Sequence, residues 1–198
     1  MQKGEVMAKS LKGTKTEKNL LAAFAGESQA RNRYTYFAGV AKKAGYEQIA
    51  AIFLDTADNE KEHAKRYFIL LEGGDAEITA TYPAGIIDDT AKNLEAAACG
   101  EKLEWTKLYP DSAKIARQEG FEEVAKQFEE IAKVEAQHER RYRKLLDNVK
   151  NNKVFKKDAS VKWRCRNCGY VFEGNQAPDK CPACAHPKAY YELLGENY

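Results

Sequence analysis

The chain has 198 residues, enough for one good core or for a core plus a small appendage. Its 32 Lys and Arg nearly balance 30 Asp and Glu, leaving a net charge of +2, which argues against a dedicated nucleic-acid binder with its concentrated basic face. No apolar run approaches the roughly 18 residues of a membrane span, and the polar start "MQKGEVMAKSLKG" lacks a secretory apolar stretch. The expectation is a cytoplasmic protein with no membrane or nucleic-acid partner. Met7 is an alternative start, with residues 1–6 a dispensable extension.

From Thr16 to Asn148 the composition is helical, dominated by Ala, Glu, Lys, Leu and Gln. Four long helices are expected. The first runs from about Thr16, as N-cap, to Ala44, and Gly45 ends it. The second runs from about Glu47 to Glu72 and stops at Gly73-Gly74. After the turn-rich "DAEITATYPAGII", Asp88 or Asp89 caps a third helix reaching Tyr109, where Pro110 breaks or restarts it. Gly120 separates this from a fourth helix, roughly Phe121 to Asn148. Its last turns carry Arg140, Arg141, Arg143 and Lys144, the favourable sign for the end of a helix dipole. From Asn151 the texture changes. "NNKVFKKDAS" is a polar linker, and the remainder of the chain is short, aromatic and rich in Gly, Pro and Cys. Two domains are expected, 1–155 and 156–198.

The pattern E-x-x-H-x-x-R-Y occurs twice, as Glu60, His63, Arg66, Tyr67 and as Glu135, His138, Arg141, Tyr142, 75 positions apart. Steps of three and four place these residues on core stripes. The fourth helix reads Phe121, Val124, Phe128, Ile131, Glu135, His138, Tyr142, Leu145, and the second Ile49, Phe53, Thr56, Glu60, His63, Tyr67, Leu70. The first reads Leu20, Phe24, Glu27, Arg31, Tyr34, Ala38, and the third Leu94, Ala97, Glu101, Glu104, Leu108. Every helix turns a glutamate inward, where a charge is costly unless paired. Glu27, Ala30, Arg33 and Tyr34 repeat the frame without its histidine, as a duplicated helical hairpin would.

Depth agrees. Glu27 lies 18 residues before Gly45 and Glu60 lies 15 after it, while Glu104 and Glu135 lie 16 before and 15 after Gly120. At ~1.5 Å per residue, antiparallel hairpins bring each pair level within about one turn. The stretch from Gly73 to Asp88 reaches at most roughly 50 Å, enough for the long crossover of a ferritin-like four-helix bundle. The fold class expected is mainly α.

An isolated E-x-x-H in a Glu-rich helix is ordinarily a solvated i,i+3 pair, and Arg31 offers one buried glutamate a partner. Yet the chain has only three histidines, two of them in this pattern at matching depth. Five inward glutamates at one level would repel severely without cations. Carboxylate oxygens with a few imidazoles suit iron or manganese. Di-metal carboxylate bundles use a Glu from each of two helices and Glu-x-x-His from each of the others; here the third helix adds a further carboxylate, with both Glu101 and Glu104.

Four of the five cysteines fall near the C-terminal end, as Cys165-x-x-Cys168 and, twelve residues on, Cys181-x-x-Cys184. That spacing is a strong signal for a four-thiolate tetrahedral site, which gives so short a module its folding energy. Gly169 and Pro182 suit two tight knuckles, and Trp163, Tyr170, Phe172 and Tyr190 are expected to wrap the site. Zinc fits such spacing in isolation; iron gains ground when the module is fused to a redox-capable di-metal bundle. His186 is expected in a surface turn, and Cys99 as a small buried residue.

With "GEKLEW", "KWRCRNCGY" and "CPACAHPKA" beside the two E-x-x-H motifs, the chain closely resembles the rubrerythrin family along essentially its whole length. The resemblance implies a ferritin-like bundle with two Fe ions, a rubredoxin-like Fe(Cys)4 domain, and a homodimer or higher oligomer. In that assembly one chain's thiolate centre lies near its partner's di-iron site. It implies reduction of hydrogen peroxide to water, protecting against oxidative stress, with electrons from a rubredoxin or an NAD(P)H-linked reductase. By resemblance Glu60 and Glu135 bridge the irons, Glu27, Glu101 and His138 are terminal ligands, and His63 and Glu104 exchange on one iron. Tyr34 and Tyr109 are the tyrosines near the carboxylates, and Cys165, Cys168, Cys181 and Cys184 hold the third iron. Two other readings share parts of the pattern: a ferritin-like iron oxidase or storage protein, which has no need of the thiolate module, and a non-enzymatic zinc-binding interaction protein with an inert bundle.

Overall fold

The structure is a computed structural model that describes residues 9–196; Met7 and the extension 1–6 lie outside the described residues. Five α-helices form four rods: α1 Lys15–Lys43, α2 Glu47–Leu70, α3 Thr90–Leu103, α4 Tyr109–Gln118 and α5 Glu122–Lys150. Helix α1 is capped by Thr14, not by Thr16. The Thr14 oxygen accepts from the Glu17 N–H, and the Glu17 carboxylate accepts from the Gly13 N–H at 2.7 Å. Thr16 instead donates its N–H and hydroxyl to the Glu119 carboxylate, which lies at the positive end of the helix dipole.

The two hairpins turn alike. Gly45 (φ +82°) and Gly120 (φ +84°) take the left-handed conformation that glycine adopts without steric cost. In each turn the next residue's N–H reaches back into the helix, Tyr46 to the Ala41 carbonyl and Phe121 to the Ala116 carbonyl. This repeated turn is the backbone counterpart of the repeated E-x-x-H frame.

Helix α2 stops at Leu70, short of the expected Glu72, and segment 71–89 then runs back along the bundle. It is pinned by the Tyr82 hydroxyl, which donates to the Ala22 carbonyl at 2.5 Å. Asp89 is the N-cap of α3, its carboxylate accepting from the Lys92 N–H. The third rod is not broken at Pro110. It passes through a π-helical turn, Glu104–Leu108, into α4, with Pro110 in the first turn, where a missing N–H costs least. The π turn absorbs one extra residue. Tyr109 therefore faces the core and Leu108 is exposed, the reverse of the stripe expected from uniform spacing. Arg31 and Cys99 also depart from expectation. Arg31 is exposed and Ala30 takes its inward place; Cys99 is exposed, with Arg143 Nη2 3.6 Å from its sulfur.

The bundle holds two apolar cores. One gathers Phe37, Phe53, Leu94, Tyr34 and Tyr142; the other gathers Leu20, Phe128, Ile131, Tyr67 and Tyr109. Helix α2 and the third rod, α3 into α4, both run from the first core to the second, so they are parallel and segment 71–89 is the long crossover of a ferritin-like bundle. Between the cores lies the layer of inward glutamates.

The C-terminal module is an antiparallel sheet of β1 Lys156–Cys165, β2 Val171–Gln176 and β3 Tyr191–Leu193, in the order β2-β1-β3. Trp163 is fully buried and donates its indole N–H to the Gly174 carbonyl at 2.9 Å. Tyr191 is buried beside it, whereas Tyr170, expected to wrap the cysteines, is exposed. The module seats on the α1–α2 turn: Phe155 stacks on Tyr46 with centroids 6.0 Å apart, and Ala189 packs against Gly45. Among the described residues no helix is long and apolar enough to cross a membrane. Thr14→Ala removes the α1 cap and is expected to cost about 1 kcal/mol, read as a lower thermal midpoint with helical content unchanged.

Candidate metal centres

Each rod contributes one glutamate buried to 1% exposure or less: Glu27 from α1, Glu60 from α2, Glu101 from α3 and Glu135 from α5. Two of them face both histidines of the bundle. Glu60 places Oε2 2.9 Å from His63 Nδ1 and Oε1 3.2 Å from His138 Nδ1. Glu135 places Oε1 2.9 Å from His63 Nδ1 and Oε2 2.8 Å from His138 Nδ1. Glu27 approaches His63, at 3.9 Å, and Glu101 approaches His138, at 3.7 Å. The result is two four-residue groups sharing an edge, Glu27–Glu60–His63–Glu135 and Glu60–Glu101–Glu135–His138. Glu104 belongs to neither; it stands half-buried at the start of the π turn.

The donor atoms fit cations better than each other. Glu60 Oε1, Glu101 Oε2, both Glu135 oxygens and His138 Nδ1 are buried and make no hydrogen bond, although some lie within 3 Å of a neighbour. Short separation without hydrogen-bond geometry is what lone pairs aimed at a common point produce. Left so, they are a heavy desolvation cost for an inert scaffold. His138 Nε2 lies 3.2 Å from the Asn59 side-chain oxygen, so the proton belongs on Nε2 and the Nδ1 lone pair faces the glutamates. The stripe pattern passes over Asn59; its one signal in the sequence is its place immediately before Glu60.

Protons are the alternative to metal. Burial, then the charges of Glu60 and Glu135, raise the Glu27 carboxyl well above its ordinary range. Burial, then Glu60, pushes Glu101 to about 8. Burial opposes charge on the imidazoles, but the carboxylates pressed against them win. Glu101, Glu135 and Glu60 push His138 up to about 12, and Glu135 and Glu60 push His63 to about 9.

Tyrosines close the layer from both sides. Tyr34 donates its hydroxyl to Glu101 Oε1, and Tyr109 donates to Glu27 Oε1. Tyr142 packs edge-on to Tyr34, and Tyr67 to Tyr109. The arginines of the repeated motif latch the two E-x-x-H helices together. Arg66 on α2 donates to the Gln127 amide oxygen on α5, and Arg141 on α5 donates to Asp55 and Thr56 on α2.

The four cysteines form the second cluster. Cys165 and Cys184 sulfurs are 3.8 Å apart, and those of Cys168 and Cys181 3.7 Å. A tetrahedron with metal–sulfur bonds of about 2.3 Å has edges of about 3.8 Å, so the module is shaped to hold one ion. The backbone N–H of His186 is the main influence lowering the Cys184 thiol to about 6, within reach of the thiolate a metal requires. Two knuckles present the sulfurs, with the residue after the second cysteine of each pair left-handed: Gly169 at φ +81° and Ala185 at φ +60°. His186 is half-buried, its ring edge-on to Tyr190.

A ferritin-like bundle with a carboxylate–imidazole layer, joined to a rubredoxin-like four-cysteine module, defines a two-centre iron protein. Residues 18–146 match the family model Rubrerythrin, and residues 163–192 match the model for the rubredoxin-like domain of rubrerythrin. The chain is 61% identical to rubrerythrin of Porphyromonas gingivalis, over 100% of this chain and 99% of that one. It is 61% identical to rubrerythrin of Nitratidesulfovibrio vulgaris, over 96% and 100%. Among solved structures, fully reduced, all-ferrous nigerythrin aligns with a TM-score of 0.62 and 30% identity over 94% of this chain and 92% of that one. The chain belongs to the rubrerythrin family, iron oxidoreductases with a di-iron site and a rubredoxin-like domain.

Burial, and then the nearby glutamates, raise the Tyr34, Tyr67, Tyr109 and Tyr142 phenols well above their ordinary range. A folded-state pKa raised in this way stabilises below the ordinary value of about 10, and the stabilisation is lost as pH climbs through the folded value. In a spectrophotometric titration these four are expected to stay protonated at pH about 11 while exposed tyrosines ionise, and to titrate only with unfolding. In the cysteine module, Gly169→Ala is expected to cost about 1 kcal/mol through backbone strain and to speed metal loss to a chelator, whereas Ala185→Gly slows it.

Proposed function

We propose that this protein is a non-haem di-iron peroxidase, reducing hydrogen peroxide to water with electrons relayed through an Fe(Cys)4 centre. The observation that carries the reading is the split of Glu60 and Glu135, each giving one oxygen to the His63 side and one to the His138 side. In this assignment those two glutamates would hold both irons, one oxygen each. Glu27 and His63 complete one iron position, and Glu101 and His138 the other, while Glu104 is the alternative to His63. Cys165, Cys168, Cys181 and Cys184 hold the third iron, in a domain that begins near residue 156.

The balance is H2O2 plus two protons and two electrons to two waters. Two ferrous ions held by these residues would supply the two electrons and Lewis acidity. The chain's residues do the rest. Tyr34 holds Oε1 of Glu101 and leaves Oε2 facing His138, while Tyr109 holds Oε1 of Glu27, the oxygen that faces His63, so both carboxylates keep their aim. Asn59 fixes the His138 ring in the same way. An anionic carboxylate would suit the ferric charge and a neutral imidazole the ferrous one, so Glu104, one turn beyond Glu101, would be the alternative to His63 as the charge on one position changes. Electrons return singly from an external donor, a rubredoxin or an NAD(P)H-linked reductase. A homodimer or higher oligomer in the cytoplasm completes the reading. The cysteine module favours it over iron storage, which has no use for a one-electron relay.

The test is anaerobic reduction of iron-loaded protein followed by excess peroxide, since three reduced irons per chain hold one electron more than a single peroxide accepts. Rapid reoxidation of both centres is expected; oxidation that leaves the thiolate centre reduced, or builds a ferric mineral, would overturn the reading. His63→Ala is expected to slow peroxide turnover about 10-fold or more with both iron sites still filled.

A further inference from the structure

Glu104 lines a cavity of about 350 Å³ between α1, the π turn and residues 79–83 of the crossover segment, with Tyr82, Tyr109 and Arg33 also in its walls. Arg33 reaches this cavity from α1. Its Nε is buried without a hydrogen-bond partner, and its guanidinium lies over the Tyr34 ring at 5.6 Å. The guanidinium crosses α3 at Gly100, where an added Cβ would come 3.2 Å from Nη2. Gly100 is one turn before Glu104 on the same rod, so glycine there lets the cation lie against the helix that carries the carboxylate. Burial and then the charges of Glu101, Glu135 and Glu60 raise the Glu104 carboxyl, and the Arg33 charge is what opposes them.

We propose that Arg33 is a positioning residue that holds Glu104 on the cavity side, outside the glutamate–histidine layer, and so sets the balance between Glu104 and His63 at one metal position. The inference rests on the exchange of Glu104 with His63 proposed for the di-iron site and adds the group that biases it. The three arginines of the E-x-x-(H/A)-x-x-R-Y frame then have distinct duties, since Arg66 and Arg141 bond across α2 and α5 while Arg33 shares a cavity wall with the extra carboxylate, its Nε unbonded. Among the described residues, the frame arginine that lines the Glu104 cavity is the one without a helix-to-helix latch.

The test uses iron-loaded protein and reads the midpoint potential of the di-iron centre together with the Mössbauer signature of its reduced form. In Arg33→Met, Glu104 loses the cation in its cavity wall and moves inward, favouring the oxidised centre. The expected result is a lower potential, about a fivefold change in the reduced-to-oxidised ratio, comparable to one partly exposed ion pair, and a reduced-state spectrum altered in one iron only. Arg33→Lys restores the wild-type potential. Gly100→Ala, which displaces the guanidinium without removing its charge, shifts the potential in the same direction by less, and serves if Arg33→Met fails to fold. An unchanged potential and spectrum in Arg33→Met, or a lysine variant that behaves as the methionine one, overturns the proposal. His63→Ala separates the two levels: if it alters the reduced-state spectrum while Arg33→Met does not, Arg33 has no such role and exchange stands; if neither alters it, the exchange itself fails.

Discussion

Four glutamates from four rods meet in one buried layer, and like charges at that depth cannot coexist without something positive among them. The apolar residues divide into two cores because the layer cannot be packed through. Each rod must bring its glutamate to the same height, which fixes hairpin lengths about Gly45 and Gly120 and the pitch of every stripe. The tyrosines lie where core meets layer, with an apolar ring on one side and a hydroxyl for a carboxylate on the other. Charge compensation, by imidazoles and by metal ions, is therefore a condition of the fold as well as of its chemistry.

The layer has an approximate twofold character that its chemistry then breaks. Tyr34 serves Glu101 as Tyr109 serves Glu27, Arg66 reaches α5 as Arg141 reaches α2, and both hairpins turn through the same glycine geometry. Symmetry fails at two places. His138 is tied by Asn59 whereas His63 has no matching amide contact among the described residues, and Glu104 has no counterpart on the first rod. Both departures concern the Glu27–His63 side. Under the proposed exchange of Glu104 with His63, one metal position would be fixed and the other adjustable.

The sequence makes much of this legible. Period-3.6 stripes locate Glu27, Glu60, Glu101 and Glu135, because burial of a charge inside an apolar stripe is a strong departure from pattern. The cysteine spacing marks its cluster for the same kind of reason. The features that escape a sequence reading depend on local backbone choices. Thr14 and Thr16 are both acceptable caps, and only the placement of Glu17 and Glu119 decides between them. Uniform helical spacing puts Leu108 inward, since nothing in "EWTKL" announces a π turn. Arg31 and Arg33 are near neighbours on one helix, and the stripe favours the wrong one because Gly100, far off in sequence, is what gives Arg33 its place.

That π turn has a mechanical meaning. A helix with uniform winding would have to rotate or slide as a whole to carry a side chain from a cavity to a neighbouring cluster, dragging Leu94 and Ala113 out of their cores at either end. A single overwide coil, bonded from Tyr109 back to Glu104, is a loose link in an otherwise stiff shaft. The travel of the Glu104 carboxylate that the proposed exchange requires would then be absorbed within a few bonds, leaving the rest of the scaffold still.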